Sequence, residues 1–304
     1  MNTIVFITGP TAVGKTAVSL SLAKLLKAEI ISCDSMQIYE GMDIGTQKPP
    51  ISRRRGVIHH MIGVVPPSRN FSAADFRYEA LNCLKRIEKK GRRALFVGGT
   101  ALYIKSLVDG LFPSPPADYA LREELSRQEA LNGRGFLHKK LSTIDRGAAD
   151  MLHPNDTRRI IRALEVCINA NARISELRKN TKGLKDKYDI RIFCLNRQRQ
   201  ALYDIIDKRV DTMFRKGLVA ECRRLKEIQL SMTAGQALGY AEVFDYLDNK
   251  IGLDRAKVLI KQGTRNYAKR QLSWFRNDKR FERVDIDDHS PAQAARILCG
   301  KLMR

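Results

Sequence analysis

The residues most able to do chemistry lie close to the N-terminus. Gly9-Pro10-Thr11-Ala12-Val13-Gly14-Lys15-Thr16 sets two glycines, a lysine and a hydroxyl at the spacing G-x-x-x-x-G-K-[ST]. The glycines let the backbone turn its N–H groups toward an anion, and a helix start adds positive partial charge. Lys15 brings a full charge to phosphate oxygens, and the Thr16 hydroxyl can ligate Mg²⁺. All eight residues are therefore candidate contacts to a phosphorylated ligand. Two further groups stand close behind the loop. Asp34 follows the apolar Ala28-Glu-Ile-Ile-Ser32, and Thr100 follows Gly98-Gly99 after the apolar Ala94-Leu-Phe-Val97. Asp34 can be read as a turn residue or as a functional carboxylate. The glycine pair allows close backbone approach to a ligand, with the Thr100 hydroxyl beside it.

The flanking segments supply the frame that positions these groups. Ile4-Val5-Phe6-Ile7 reads as a buried strand, and Val18, Leu22, Leu25 and Leu26 recur at helical spacing after the loop. Strand, glycine-rich loop and helix start is the context this motif requires. Ala28–Ser32 and Ala94–Val97 read as further strands. In an open α/β sheet the carboxyl ends of the strands face the ligand, which would bring Asp34 and Thr100 to the loop. Ser72-Ala-Ala-Asp75 is a capping box opening a helix that carries Phe76, Ala80, Leu84 and Ile87 and ends at Gly91. From Ala117 to about Lys187 the pattern is helical with polar turns, and Asp189–Leu195 restores a strand. Asp204–Lys216 reads as one amphipathic helix ended by Gly217, and the remainder as helical and basic. The expected fold class is α/β, a P-loop NTPase-like parallel sheet core flanked by helices with a helical insertion domain. Residues 1–115 and 188–304 would form the core, and 116–187 the insertion.

Composition narrows the partners. The 304 residues are 43% hydrophobic, enough for a proper core, and the formal net charge is +22, from 55 Lys and Arg against 33 Asp and Glu. Such a surplus points to a polyanion, with nucleic acid the first candidate. Residues 251–283 hold ten Lys and Arg against three Asp and Glu, and Tyr267-Ala-Lys-Arg-Gln-Leu-Ser-Trp-Phe-Arg276 interleaves cations with aromatics. That stretch suits phosphate pairing and base stacking, or equally a solvated basic face over a core-facing Trp274-Phe275. The six cysteines form no C-x-x-C pair, which argues against zinc and against a disulfide framework. His59 and His60 are adjacent, poor geometry for sharing a metal on a strand, and are expected to pack or hydrogen-bond. Neither a signal peptide nor a spanning segment is recognisable, so a cytoplasmic protein with no membrane partner is expected.

A phosphoryl-transfer P-loop enzyme normally sets a second Mg²⁺-organising Asp at the end of an apolar strand. Here the strand Ala94–Val97 ends in Gly-Gly-Thr, and Asp34 is the only strand-end carboxylate close behind the loop. The loop can then hold a diphosphate that leaves, with Asp34 as a base and a polynucleotide as the other substrate.

These residues resemble the bacterial tRNA dimethylallyltransferases, also called tRNA isopentenyltransferases, almost end to end. The likeness runs through Gly9–Thr16, Asp34-Ser-Met-Gln-Ile-Tyr39, Gly41-Met-Asp-Ile-Gly-Thr46, His59-His60, Val97-Gly-Gly-Thr100 and Leu121-Arg122. It continues through His153-Pro-Asn-Asp-Thr-Arg-Arg159, Arg162-Ala-Leu-Glu165, Arg209-x-x-x-Met213, Gly217-Leu218 with Glu221, Gly239-Tyr240 and Thr264-Arg-Asn-Tyr-Ala-Lys-Arg-Gln271 with Trp274-Phe-Arg276. Cys33, Ala101 and Ser273 depart from the usual Ala, Gly and Thr, and none removes a group the reaction needs. The resemblance implies transfer of a dimethylallyl group from dimethylallyl diphosphate to N6 of the adenosine 3′ of the anticodon in tRNA. It implies Asp34 as base, Thr100 at the reacting centre, and Lys15, the loop and Mg²⁺ on the diphosphate, with Arg209 as a further contact. It also implies a tRNA surface formed by Asp34, Ser35, Met36, Gln37, Thr100 and Arg122 with Arg158, Arg159, Ile160, Ile161 and Arg162. A monomer is expected. A nucleotide kinase shares the loop but has no use for the charge or the basic aromatic segment. A nucleotide-switched RNA-binding protein does not explain Asp34 and Thr100. A transferase acting on free adenylate is the nearest rival, and the helical insertion favours an RNA-sized acceptor over it.

Overall fold

The computed structural model describes residues 3–303. They divide into two units, one of residues 3–108 and 187–303 and one of Asp109–Asp186. The helical unit thus opens at Asp109 rather than at 116. No helix among the described residues is long and apolar enough to cross a membrane.

The larger unit is built on six parallel strands: β1 Thr3–Thr8, β2 Ala28–Ser32, β3 His59–His60, β4 Arg93–Val97, β5 Asp189–Asn196 and β6 Phe281–Asp285, in the order β3-β2-β4-β1-β5-β6. Parallel strands are covered on both faces and read as continuous apolar runs. Accordingly Ile4 to Ile7 and Ala94 to Phe96 are all buried. Successive side chains point to opposite faces. Val5, Ile7, Ile30, Leu95 and Phe193 join a core with Val18, Leu22, Ala294 and Leu298, carried by helices α1 (Lys15–Leu26) and α13 (Pro291–Leu302). The alternate residues include Phe6 and Phe96, whose rings stack at 4.7 Å. Helix α2 (Ala73–Lys89) contacts β2 and β4 and packs on α3 (Ala101–Val108), where Phe76 stacks on Tyr103 at 3.8 Å. The Ser72–Asp75 capping box that opens α2 is formed as the sequence indicates.

The smaller unit holds α4 (Tyr119–Asn132), α5 (Phe136–Ile144), α6 (Arg146–Ala149), α7 (Thr157–Ala170) and α8 (Ile174–Leu177). Its own core is formed by Leu125, Leu137, Leu141, Ile160, Leu164 and Ile174, among others. Back in the larger unit run α9 (Arg199–Arg215), α10 (Leu218–Lys226), α11 (Tyr240–Leu247) and α12 (Leu253–Arg276).

Two expectations are corrected and one open alternative is decided. Helix α9 begins at Arg199 rather than Asp204, because Leu202 continues the buried stripe of Ile206, Val210 and Met213 backward. The C-terminal region is not wholly helical, since Phe281–Asp285 forms β6. Only Phe281 and Val284 of that strand are buried, and its Glu, Arg and Asp face outward, as charged edge strands do. The aromatics of the basic stretch serve the core more than a surface. Phe275 is buried, and Trp274, Phe275 and Phe281 pack as one cluster with centroids 5.3–5.7 Å apart.

The register fixes where chemistry can occur. Ile7 of β1 and Ser32 of β2 both lie level with Val97 of β4, so the three strands end together. The glycine-rich loop, Cys33-Asp34 and Gly98-Gly99-Thr100 therefore emerge at one edge of the sheet. Two crossings hold this edge: Cys33 N–H donates to Val97 O (2.7 Å) and Thr100 N–H to Cys33 O (3.2 Å). A Cβ on Gly98 would sit inside the van der Waals radius of the Cys33 carbonyl. Gly98→Ala is therefore expected to force these segments apart at a cost of about 1–3 kcal/mol. Thermal unfolding checks this, and an unchanged midpoint would show that the crossing is not tight.

Candidate active site

The loop from Gly9 to Gly14 departs from ordinary backbone at three places, with φ of +137° at Gly9, +66° at Ala12 and +110° at Gly14. Gly14 caps α1 in the left-handed region, so the helix begins at Lys15 with its first-turn N–H groups pointing out of the helix. At Gly9 even a methyl group would collide with the Leu195 carbonyl, 2.5 Å from the Cβ position. Not every residue of the loop can offer an amide to an anion. Pro10 has no N–H, the Thr11 N–H is held by Gln271 Oε1 (2.8 Å), and the Val13 N–H points to Pro10 O (3.4 Å) while its side chain lies in the core. The donors left for a ligand include the N–H groups of Ala12 and Gly14 and those at the start of α1, with the Lys15 ammonium and the Thr16 hydroxyl.

These groups open onto a cavity of about 870 Å³ in the larger unit, lined by Gly14, Lys15, Thr16, Asp34, Gln37 and Arg209. Leu20, Ile44, Pro49, Pro50 and Ile205 give the same cavity an apolar part. Lys15 Nζ donates to Gly9 O (2.9 Å) and Pro10 O (2.8 Å). Burial lowers its pKa to about 8; Asp34 opposes that shift and Arg209 adds to it. Arg209, from α9, is lowered to about 10 by burial, again opposed by Asp34. Lys15 and Arg209 thus lie near Asp34 in a cavity also lined by Lys48, Arg53, Arg55, Lys216 and Asp43, a surplus of cations that favours an added anion.

Asp34 is a turn residue that also faces the cavity. Oδ1 accepts the N–H groups of Met36 (2.9 Å) and Gln37 (3.2 Å), closing a turn, while the carboxylate also lines the cavity. The Thr100 hydroxyl accepts the Ser35 N–H (3.0 Å) and bonds the Ser35 hydroxyl (3.3 Å). Tyr267 of α12 lines the same cavity, and burial followed by the Asp34 charge pushes its phenol up to about 12. Gln37 Nε2 donates to Thr46 O (3.2 Å), which ties the turn to the next loop.

Two residues with no role assigned from sequence hold this arrangement. Gln271, 6% exposed, accepts from Thr11 N–H and donates to Gly99 O (2.8 Å), fastening the phosphate loop to the glycine pair after β4. Glu221, 1% exposed, accepts from the N–H groups of Asp43 (2.9 Å), Ile44 (2.7 Å) and Gly45 (2.9 Å) and from the Tyr240 hydroxyl (2.8 Å), fixing a loop that lines the cavity. Both lie in motifs visible in the sequence, but a buried amide or carboxylate there gives no hint of its distant partners.

In the helical unit, Arg122 and Arg162 are turned inward. Both pair with Glu165, which is fully buried and also accepts the Asp118 N–H (2.6 Å). Ile160 and Ile161, expected at the RNA, are 1% and 8% exposed in the core of the unit, so their side chains serve packing instead. Arg158 and Arg159 are exposed on α7, with Arg159 in an ion pair with Asp156 (3.3 Å). His59 and His60 are engaged in hydrogen bonds, His59 Nδ1 with Val57 O (2.9 Å) and His60 Nε2 with Glu29 (2.7 Å).

Comparison with known proteins agrees with this geometry. The family model described as IPP transferase matches residues 37–278. The chain belongs to the IPP transferase family. It is 42% identical to the tRNA dimethylallyltransferase of Finegoldia magna over 98% of this chain and 95% of that one. Against the enzyme of the same name from Carboxydothermus hydrogenoformans it is 44% identical over 94% and 93%. Among solved structures, the full-length tRNA isopentenylpyrophosphate transferase of Bacillus halodurans superposes with a TM-score of 0.72 at 39% identity, covering 100% of this chain and 97% of that one. A eukaryotic dimethylallyltransferase captured acting on tRNA gives 0.81 at 27% identity over 95% and 75%. As members of that family do, this chain belongs among the transferases.

Two outcomes are expected of the site. Pyrophosphate binding at pH 8 should make Lys15 take up about half a proton, because an anion beside it restores its charge, and that uptake should fade toward pH 6. Calorimetry in buffers of different ionisation enthalpy measures it, and Lys15→Met should abolish it. Gln271→Leu leaves Thr11 N–H and Gly99 O unpaired, at about 1–3 kcal/mol each. Its thermal midpoint should fall and its affinity for pyrophosphate weaken by roughly tenfold through misplacement of the loop. An unaltered affinity would confine Gln271 to stability.

Proposed function

We propose that this chain transfers the dimethylallyl group of dimethylallyl diphosphate to N6 of the adenosine 3′-adjacent to the tRNA anticodon, position 37. The products are N6-isopentenyladenosine and diphosphate. The observation that carries this reading is that the Asp34 carboxylate and the cationic pair Lys15 and Arg209 line one cavity. Its relatives' names supply the acceptor class: they are tRNA dimethylallyltransferases, and one structural neighbour acts on tRNA.

The acceptor dictates the chemistry. The lone pair of an adenine amino group is delocalised into the ring, so the nitrogen attacks well only as its proton is taken. Asp34 takes that proton while the N6–C1 bond forms and the C1–O bond to diphosphate breaks. Because Oδ1 is held by the 36–37 turn, the carboxylate is oriented before substrate arrives. Negative charge grows on the departing diphosphate, and Lys15, Arg209 and the N–H groups at the start of α1 are aimed at it. The Thr100 hydroxyl, linked to Ser35, positions the acceptor beside Asp34, and the apolar part of the cavity accommodates the five-carbon chain. Mg²⁺ suits the residues present, since it takes one or two protein oxygens together with substrate phosphates and water. Thr16 would hold it, and when bound it would neutralise charge on the diphosphate. The target base is reached by flipping out of the anticodon loop. Ser35, Met36 and Gln37 grip it, and Arg158 and Arg159 meet the RNA backbone. Arg122 and Arg162 serve that surface by shaping it through Glu165. The enzyme works as a monomer in the cytoplasm, and the loop's ligand is a diphosphate rather than ATP.

Labelled dimethylallyl diphosphate, Mg²⁺ and unmodified tRNA should yield labelled tRNA and leave AMP unlabelled. Label on AMP alone would transfer the reading to free adenylate. Asp34→Asn keeps the Oδ1 acceptor that closes the turn, so it should lower turnover by about 10²–10⁴-fold while tRNA affinity holds. Loss of both together would reduce Asp34 to a structural residue.

A further inference from the structure

A second cluster of reactive groups lies at the other flank of the larger unit. Cys83 sits on the buried face of α2, and Arg86 Nη2 donates to its sulfur at 3.1 Å. His60, on β3, lines the same cavity as Cys83, and its Nε2 lies 2.7 Å from Glu29 Oε2 on β2. Glu29 is 1% exposed and is also paired with Arg92 (3.1 Å) and Lys90 (3.9 Å). Glu29, His60 and Cys83 thus bring an orienting carboxylate, an imidazole and a thiol to one place. This is the arrangement that activates a sulfur nucleophile. Cys83, His60 and Arg86 line a cavity of about 590 Å³ that shares none of its lining with the phosphate-loop cavity. The remaining ionisable groups facing it are His59, Arg69, Asp75, Tyr78 and Glu79.

We propose that Cys83 is a thiolate-bearing modification site whose ligand is hydrogen peroxide or a peroxide of similar size. The sulfur attacks one peroxide oxygen and the O–O bond breaks. The departing hydroxide takes the proton of the His60 imidazolium to become water. Sulfur is oxidised to the sulfenic acid and the peroxide is reduced, so no further reagent is required.

Electrostatics agrees with the geometry. Burial by itself would raise the Cys83 thiol, but His60 and Arg86 together outweigh it and the pKa falls below the ordinary value. His60 is raised, first by Cys83. The other buried cysteines lie in the opposite environment. Burial pushes Cys194 up to about 11 and Cys222 up to about 12, and also raises Cys33 and Cys167. Since the thiolate is the reactive form, Cys83 is the buried sulfur set apart for attack, and the cavity decides what reaches it.

The site adjoins the proposed acceptor-gripping turn. The chain leaving His60 donates from Gly63 N–H to Gln37 O (2.9 Å) and from Val64 N–H to Ile38 O (2.8 Å). The test uses the whole chain, brief exposure to hydrogen peroxide and a 1,3-diketone that traps sulfenic acid, followed by peptide mass mapping. The adduct should appear on Cys83 and not on Cys33, Cys167, Cys194 or Cys222. His60→Gln and Arg86→Met should each slow it by roughly tenfold, as loss of a thiolate partner does. Arg86 is exposed, so Arg86→Met keeps the fold even if His60→Gln, which leaves Glu29 short of a partner, does not. No adduct on Cys83, or an equal rate in folded Arg86→Met, would overturn the proposal.

Discussion

The partial burial of Lys15 and Arg209 near Asp34, in a cavity with a surplus of cations, is the constraint on which the rest of the active site depends. Lys15 and Arg209 both bear a desolvation penalty that Asp34 only partly offsets. In water such a cluster would be solvated and inert. In a cavity it stays short of negative charge, which is the condition the proposed diphosphate would meet. In that proposal the same imbalance helps the reaction, because charge on the leaving group increases as its bond to carbon breaks.

Holding these charges together is the work of the sheet edge and of two buried polar side chains. The parallel register ends β1, β2 and β4 at one level, which brings Lys15, Asp34 and Thr100 to one edge of the sheet. Gln271 then ties the phosphate loop to Gly99, and Glu221 ties down the loop around Ile44. An unpaired buried amide or carboxylate is expensive, so each clamp is satisfied only when the loops it joins are in place. The Glu165 carboxylate does the same in the helical unit, where two arginines and a backbone N–H converge on it. Arginines that look in the sequence like RNA contacts are there part of the frame.

The cluster of Glu29, His60 and Cys83 shows the same economy of polar groups at another place. A short edge strand of two residues gives His60 a partner in Glu29 and a place in the cavity that Cys83 lines. The histidine pair is thereby committed to hydrogen bonding, as adjacent residues on opposite faces of a strand would suggest.

What the sequence determined by itself was local in origin. The apolar runs at Ile4–Ile7, Ala28–Ser32 and Ala94–Val97, the glycine spacing from Gly9 to Gly14, and the Ser72–Asp75 box are each written in a few neighbouring residues. So was the chemical character of the cavity's lining, since Asp34 and a strand ending in Gly-Gly-Thr can be read without coordinates. The edge strand β6 was not legible, because three of its five residues are charged and its two buried residues, Phe281 and Val284, fall on opposite faces and give no alternating pattern. Nor were the first residues of α9, or the burial of Ile160 and Ile161 next to exposed Arg158 and Arg159, which turns on helix phase. Only the tertiary structure decided which polar residues are clamps and which face substrate. Gln271 lies 260 residues from Thr11 and Glu221 lies 177 from Ile44, and a hydrogen bond across that separation leaves no local pattern in either partner.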